Sequence, residues 1–214
     1  ASKAMDNTVV IAANQIQSLT STGFTVGTDP DVNEAGAGRK FHWVAMQAGA
    51  GVMKVGTYTG SGTASQAITG LGFTPVYVLV IPEDIEYVIQ RSMTMPTVWS
   101  MGFSSEAWDT NITALRADGF VVGTRLNTSS VVYHYAAWAA VPGSVMVGSY
   151  LGNNTDNRDI SGTGFMPEYV AVTRAYTPGQ LGGQGSAAAH KPASTGTATD
   201  GTLLFDARIN ETTN

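Results

Sequence analysis

Three imidazoles, one short acidic run and four indoles are the side chains here that could do chemistry. A catalytic or metal-holding histidine needs convergent partners: a nucleophile, an orienting carboxylate or further ligands. His42 stands in Phe41-His42-Trp43 and His134 in Tyr133-His134-Tyr135. Alternation along a strand puts each imidazole on the face opposite its aromatic neighbours. The same placement in two similar stretches points to packing or a sheet surface. His190 lies in Gly-rich sequence and reads as a loop residue. Asp29, Asp31 and Asn33 have the alternation of a calcium loop, whose oxygens could converge on a hard cation. The rest of such a loop is missing, because Glu34 stands where the turn glycine belongs and Lys40 where the bidentate glutamate belongs. A turn held by Asp and Asn side chains is the expectation. The run Asn153-Asn-Thr-Asp-Asn-Arg-Asp159 reads as a polar hairpin tip, open to a glycan or ion contact.

Trp43, Trp99, Trp108 and Trp138 could stack on a sugar, since an aromatic face packs against the C–H face of a pyranose. Trp43 and Trp138 belong to strand-like runs and are expected in a core. Trp99 and Trp108 lie in less regular sequence, where exposure suits a ligand or partner contact. Asn-x-Ser/Thr occurs at Asn111, Asn127, Asn153 and Asn210, and matters only in a glycosylating compartment. The glycines of Gly-Phe-x-Val-Gly-Thr end a strand with no helix following, so they do not make a phosphate loop. The sequence therefore offers no catalytic residue, no metal set and no cofactor site.

Composition narrows the partners. Only 13% of residues are charged and the net charge is -5, so the surface lacks the cationic excess that displaces counterions from phosphates. Nucleic acid is not an expected partner. No run reaches the apolar length of a membrane-spanning helix, and membrane is not expected either. Ala1-Ser-Lys-Ala-Met lacks a signal-peptide apolar region, which gives the expectation of a chain that is not Sec-secreted. With no cysteine there is neither a disulfide framework nor a thiolate site.

A search for self-similarity finds two blocks. Val55-Gly-Thr-Tyr58 and Ile68-Thr-Gly-Leu-Gly-Phe-Thr-Pro75, ending Tyr77-Val78, return as Val147-Gly-Ser-Tyr150 and Ile160-Ser-Gly-Thr-Gly-Phe-Met-Pro167, ending Tyr169-Val170. The offset is constant (147 − 55 = 92; 169 − 77 = 92). Ile16-x-x-Leu19, Gly23-Phe-Thr-Val-Gly-Thr28, Asn33 and Phe41-His-Trp43 return as Ile112-x-x-Leu115, Gly119-Phe-Val-Val-Gly-Thr124, Asn127 and Tyr133-His-Tyr135. Here the offset falls from 96 (119 − 23) to 92 (134 − 42), placing four extra residues in the loop from Asp29 to Arg39.

Short runs rich in Val, Ile, Thr, Tyr and Phe between Gly, Asn, Pro and Asp clusters predict strands, and no segment carries a helical period. In Gly-Phe-x-Pro the glycine allows a turn closed to other residues, the phenylalanine enters the core and the proline opens an edge strand. The predicted fold is all-β: two tandem antiparallel β-sandwich repeats, jelly-roll or Ig-like, over residues 1–96 and 97–214. Phe24, Phe73, Phe120 and Phe165 are the expected core anchors. Within the second repeat, 178–192 is expected to be a mobile or partner-ordered loop, and 201–210 an extra C-terminal strand. That strand either closes a sheet in its own chain or, through Leu203, Leu204, Phe205 and Ile209, adds to a neighbour's; the balance favours the neighbour.

The two blocks together resemble tandem domains of virion structural proteins of tailed bacteriophages, over most of residues 14–82 and 110–174. The resemblance implies a capsid-decorating or fibre role on a virion or extracellular surface. It carries no catalytic residue. The expected function is a non-enzymatic structural protein whose partners are copies of itself and other assembly proteins. A carbohydrate-binding or adhesin module is the alternative, with glycans as partners.

Overall fold

The computed structural model describes residues 14–35, 41, 43–84, 88–95, 99–102, 107–108, 111–173, 188–195 and 203–204. The protein is all-β, as its alternating runs predict. In chain order the strands are β1 (Ile16–Leu19), β2 (Phe24–Val26), β3 (Met53–Thr59), β4 (Ser65–Thr69), β5 (Pro75–Pro82), β6 (Ile89–Ser92) and β7 (Ser100–Gly102). There follow β8 (Ala107–Trp108), β9 (Ile112–Arg116), β10 (Gly119–Gly123), β11 (Val132–Ala139), β12 (Tyr169–Thr173), β13 (Ala188–Pro192) and β14 (Leu203–Leu204). One four-residue helix, α1 (Pro30–Asn33), was not anticipated. It is nucleated where the Asp29 carbonyl accepts from the amides of Val32 and Asn33 at 3.1 and 2.9 Å.

All strand pairs are antiparallel, in sheets ordered β1-β2, β4-β10-β9, β3-β11-β5-β6-β7-β8 and β12-β13-β14. The six-stranded sheet and the three-stranded sheet β4-β10-β9 share one core. Ile68, Ile112, Phe120 and Val122 from the three-stranded sheet meet Tyr58, Val78, Val80, Ile89, Tyr133, Tyr135 and Ala137 from the six-stranded one. Aromatic edges fix the fit: Phe120 packs edge-on against Tyr135 at 5.3 Å, and Tyr58 stacks on Tyr133 at 4.9 Å.

This packed unit is offset from the sequence repeat. Strands β3, β4 and β5 belong to the first copy, while β9, β10 and β11 belong to the second. They interleave, because β11 lies between β3 and β5 and β10 pairs with β4. The core thus straddles the 96/97 boundary, joining the back half of one copy to the front half of the next.

Two sequence motifs explain the joints. Gly70 and Gly72 have φ of +85° and +81°, which only glycine adopts without strain, and their amides donate to the Asp118 carboxylate at 3.0 and 2.6 Å. These bonds hold the Asp118 carboxyl below its usual range. Phe73 then packs against the core as expected. Pro75, however, opens β5, an inner strand flanked by β11 and β6. The ladder tolerates it at the first position, where the register already shifts. Asn127 is the second joint. It is buried, its Oδ1 accepts from the Ser61 amide at 2.7 Å, and its Nδ2 donates to the Thr63 carbonyl at 2.8 Å.

Phe120→Ala should lower stability by about 3–5 kcal/mol, the range for emptying a fully buried aromatic site. Urea unfolding followed by near-UV signal measures this, and a loss below about 1 kcal/mol would contradict the assigned core.

Candidate functional site

The polar candidates do not converge. His134 faces outward from β11, between buried Tyr133 and Tyr135, as strand alternation requires. Its Nε2 meets Glu83 Oε1 at 2.6 Å in an exposed pair, a geometry of small energetic weight. His42 lies outside the described residues. Among the described residues no three His, Asp or Glu side chains could hold a metal. Asn33 donates through Nδ2 to the Gly27 carbonyl at 2.8 Å, so it supports the loop ahead of it.

His190 departs from the loop expectation. It sits in the middle of β13, paired with Ala171 of β12 and Leu203 of β14, and is almost wholly buried. Ala188 and Ala189 have weak strand propensity, but pairing on both edges overrides it. The Tyr169 hydroxyl is in hydrogen-bond contact with His190 Nδ1. Burial lowers the imidazole pKa to about 4 and raises that of the Tyr169 phenol, so at neutral pH the phenol donates to a neutral ring. Residues 178–187 of the expected loop lie outside the described residues.

Trp99 is half-buried, and its carbonyl and that of Ile112 accept from Arg91 Nη1. Arg91 is itself buried, which lowers its pKa and makes it a structural tie between β6 and the start of β9. Trp108 belongs to β8 and pairs with Ser100, next to Trp99. Leu203 and Leu204 form β14, which pairs along one edge with β13 of the same chain. Phe205 and Ile209 lie outside the described residues.

What the structure gathers instead is apolar surface. Trp43 is 65% exposed, against an expected core position, while its repeat counterpart Tyr135 is 8% exposed. Tyr150 and Ile160 are 49% and 48% exposed, where their counterparts Tyr58 and Ile68 are 9% and 7%. Ile16, Leu19, Phe41, Met46, Leu151, Met166 and Val170 are exposed too. Every one of these lies in the front half of copy one or the back half of copy two. Sequence reasoning placed Trp43 in a core because it took each copy as a closed unit. Phe24 and Phe165 are half-buried. Beside Tyr150 is a shallow concavity lined by Asn153, Asn154, Thr155 and Arg158, with the guanidinium 5.6 Å from the Tyr150 ring centre.

His190 gives a pH prediction with a definite sign. Its pKa is depressed in the fold, so the unfolded sheet binds more protons below the ordinary histidine value of about 6.5. The stabilisation is full above about pH 6.5 and is lost as pH falls through about 4. The protection factors of β12 and β13 amides, taken against the intrinsic exchange rate at each pH, should therefore fall over that window in the native protein, and His190→Leu should abolish the added acid sensitivity. An identical pH profile for both proteins would contradict the buried neutral imidazole.

Comparison of the chain with protein-family models, curated proteins and solved structures finds no match.

Proposed function

We propose that the chain is a non-enzymatic structural protein on the surface of a virion or similar assembly, as capsid decoration or fibre, held by β contacts between subunits. The observation that carries this reading is the exposed apolar surface of the two flanking halves. Ile16, Phe41, Trp43, Tyr150, Ile160 and Val170 there occupy repeat positions that the central unit buries, and isolated folded proteins rarely leave such patches to water. The fold that goes with this reading is two sandwich units per chain length, one of them the closed core over 53–139. The low charge of the chain favours close approach between neighbours. The resemblance of the repeats to tailed-phage structural domains supports the same role.

The alternative is a carbohydrate-binding or adhesin module. The concavity beside Tyr150 favours it, combining an aromatic face with amide, hydroxyl and guanidinium groups.

Particles that incorporate the chain should bind an antibody raised against it on their outer surface, as seen by negative-stain imaging. Label confined to the interior would overturn the role. On a glycan array the structural reading expects no saturable binding; binding abolished by Trp99→Ala, Trp108→Ala or Tyr150→Ala would favour the adhesin instead.

A further inference from the structure

We infer that the two flanking halves are complementary parts of a second sandwich, completed between chains, so that residues 16–35, 41 and 43–46 of one copy seat on residues 147–173 of a second copy. The inference deepens the assembly reading by naming the partner, and it rests on that reading.

The front half of copy one is already shaped like the corresponding half of the central unit. Strands β1 and β2 pair Ile16 with Val26 and Leu19 with Phe24, the register in which β9 and β10 pair Ile112 with Val122 and Leu115 with Phe120. Both hairpins carry a bulge near the Ile–Val end. The Gly27 amide donates to the Gln15 carbonyl at 2.7 Å, as the Gly123 amide does to Asn111 at 2.6 Å. Phe24 meets Trp43 edge-on at 5.6 Å and 72°, against 5.3 Å and 73° for Phe120 and Tyr135. What this half lacks is the rest of the sheet layer that holds Tyr135 in the central unit, namely β3 and β5, which flank β11 on its two edges.

The back half of copy two offers that layer. Gly162 and Gly164 repeat the positive φ of Gly70 and Gly72, at +95° and +76°. Strands β12 and β13 form a hairpin in the place of β5 and β6, with Tyr169 facing Pro192 as Tyr77 faces Ser92. Residues 147–160, which repeat β3 and β4, have no strand partner among the described residues.

Gly148 gives the most specific sign. A Cβ on its counterpart Gly56 would lie 2.5 Å from the Tyr135 hydroxyl, so glycine is needed there to admit the ring. A Cβ on Gly148 would meet nothing within 4 Å among the described residues. None of these requires glycine at 148, whereas a ring in the place of Tyr135 would. Trp43 is that ring. Asn33 tells the same story: its counterpart Asn127 bonds across to Ser61 and Thr63, while Asn33 makes a local bond because Asn153 and Thr155, their counterparts, stand elsewhere. Since Trp43 and Gly148 of one chain are not joined, a second copy supplies the partner. Each chain then gives one half and receives another, which permits reciprocal closure of two copies or head-to-tail growth.

The register follows from the central unit. Tyr133↔Tyr58, Tyr135↔Gly56 and Ala136↔Val55 become Phe41↔Tyr150, Trp43↔Gly148 and Val44↔Val147 between chains. Val44→Cys and Val147→Cys, made in separate full-length chains that carry no other cysteine, should form a disulfide-linked pair when the two are mixed and oxidised, and neither alone should. Mass measurement of the unmodified chain should give at least twice 22.3 kDa. Gly148→Val should return the species to a single chain while the thermal transition of the central unit stays unchanged, because the added side chain meets nothing at home. A unmodified chain that is monomeric, or an oligomer in which 44 and 147 do not link across chains, would overturn the inference. So would a single chain carrying both cysteines that closes the link on itself. Such outcomes leave the surface role to be judged by the labelled particles.

Discussion

The structure depends on one strand being paired along both of its edges. Strand β11 donates and accepts on one side with β3 and on the other with β5, and turns Tyr133, Tyr135 and Ala137 into the core. A strand in this position leaves no backbone polar group for water and no free edge for a stranger. Because β11 comes from the second copy and its neighbours from the first, the two copies cannot be separated without opening the core. Every other feature is placed by that constraint. Gly56 is small because the Tyr135 ring crosses it, Asn127 bridges the loop of one copy to the hairpin of the other, and Asp118 of one copy caps the glycine turn of the other.

The same constraint explains the apolar faces of the two flanking halves. An interleaved pair of copies uses one back half and one front half, and leaves a front half and a back half over. These carry the same apolar pattern but have lost its partner, so residues such as Trp43 and Tyr150 face outward. Burying an aromatic side chain of this size stabilises by roughly 1.5–3 kcal/mol, so a surface bearing several of them gains strongly from any cover of matching shape. The small number of charged groups removes the usual obstacle to such contact.

Much of this was legible in the sequence, and the part that was not has a clear reason. Alternation and turn residues gave the all-β class, the outward His134 and the buried Phe120, since these rest on local geometry with a period of two. The repeat gave its length of 92 residues (147 − 55) but not its phase. A periodic sequence reads the same whether the unit is cut before Ile16 or before Val55, and only cross-strand pairing decides. The expected burial of Trp43 failed for that reason. His190 was misplaced for another: Ala-Ala-His-Lys-Pro carries almost no strand propensity, and its strand exists because β12 and β14 pair with it. The single-turn helix at Pro30–Asn33 arose in the extra loop of copy one, which had no counterpart to compare it with.

The central claim is that the folding unit joins the back half of the first copy to the front half of the second. Expressing three pieces, 53–139, 1–96 and 97–214, and following each by thermal unfolding with near-UV detection tests it most directly. A single cooperative transition is expected for 53–139 and none for the other two. Cooperative folding of 1–96 and of 97–214, with 53–139 unfolded, would contradict it.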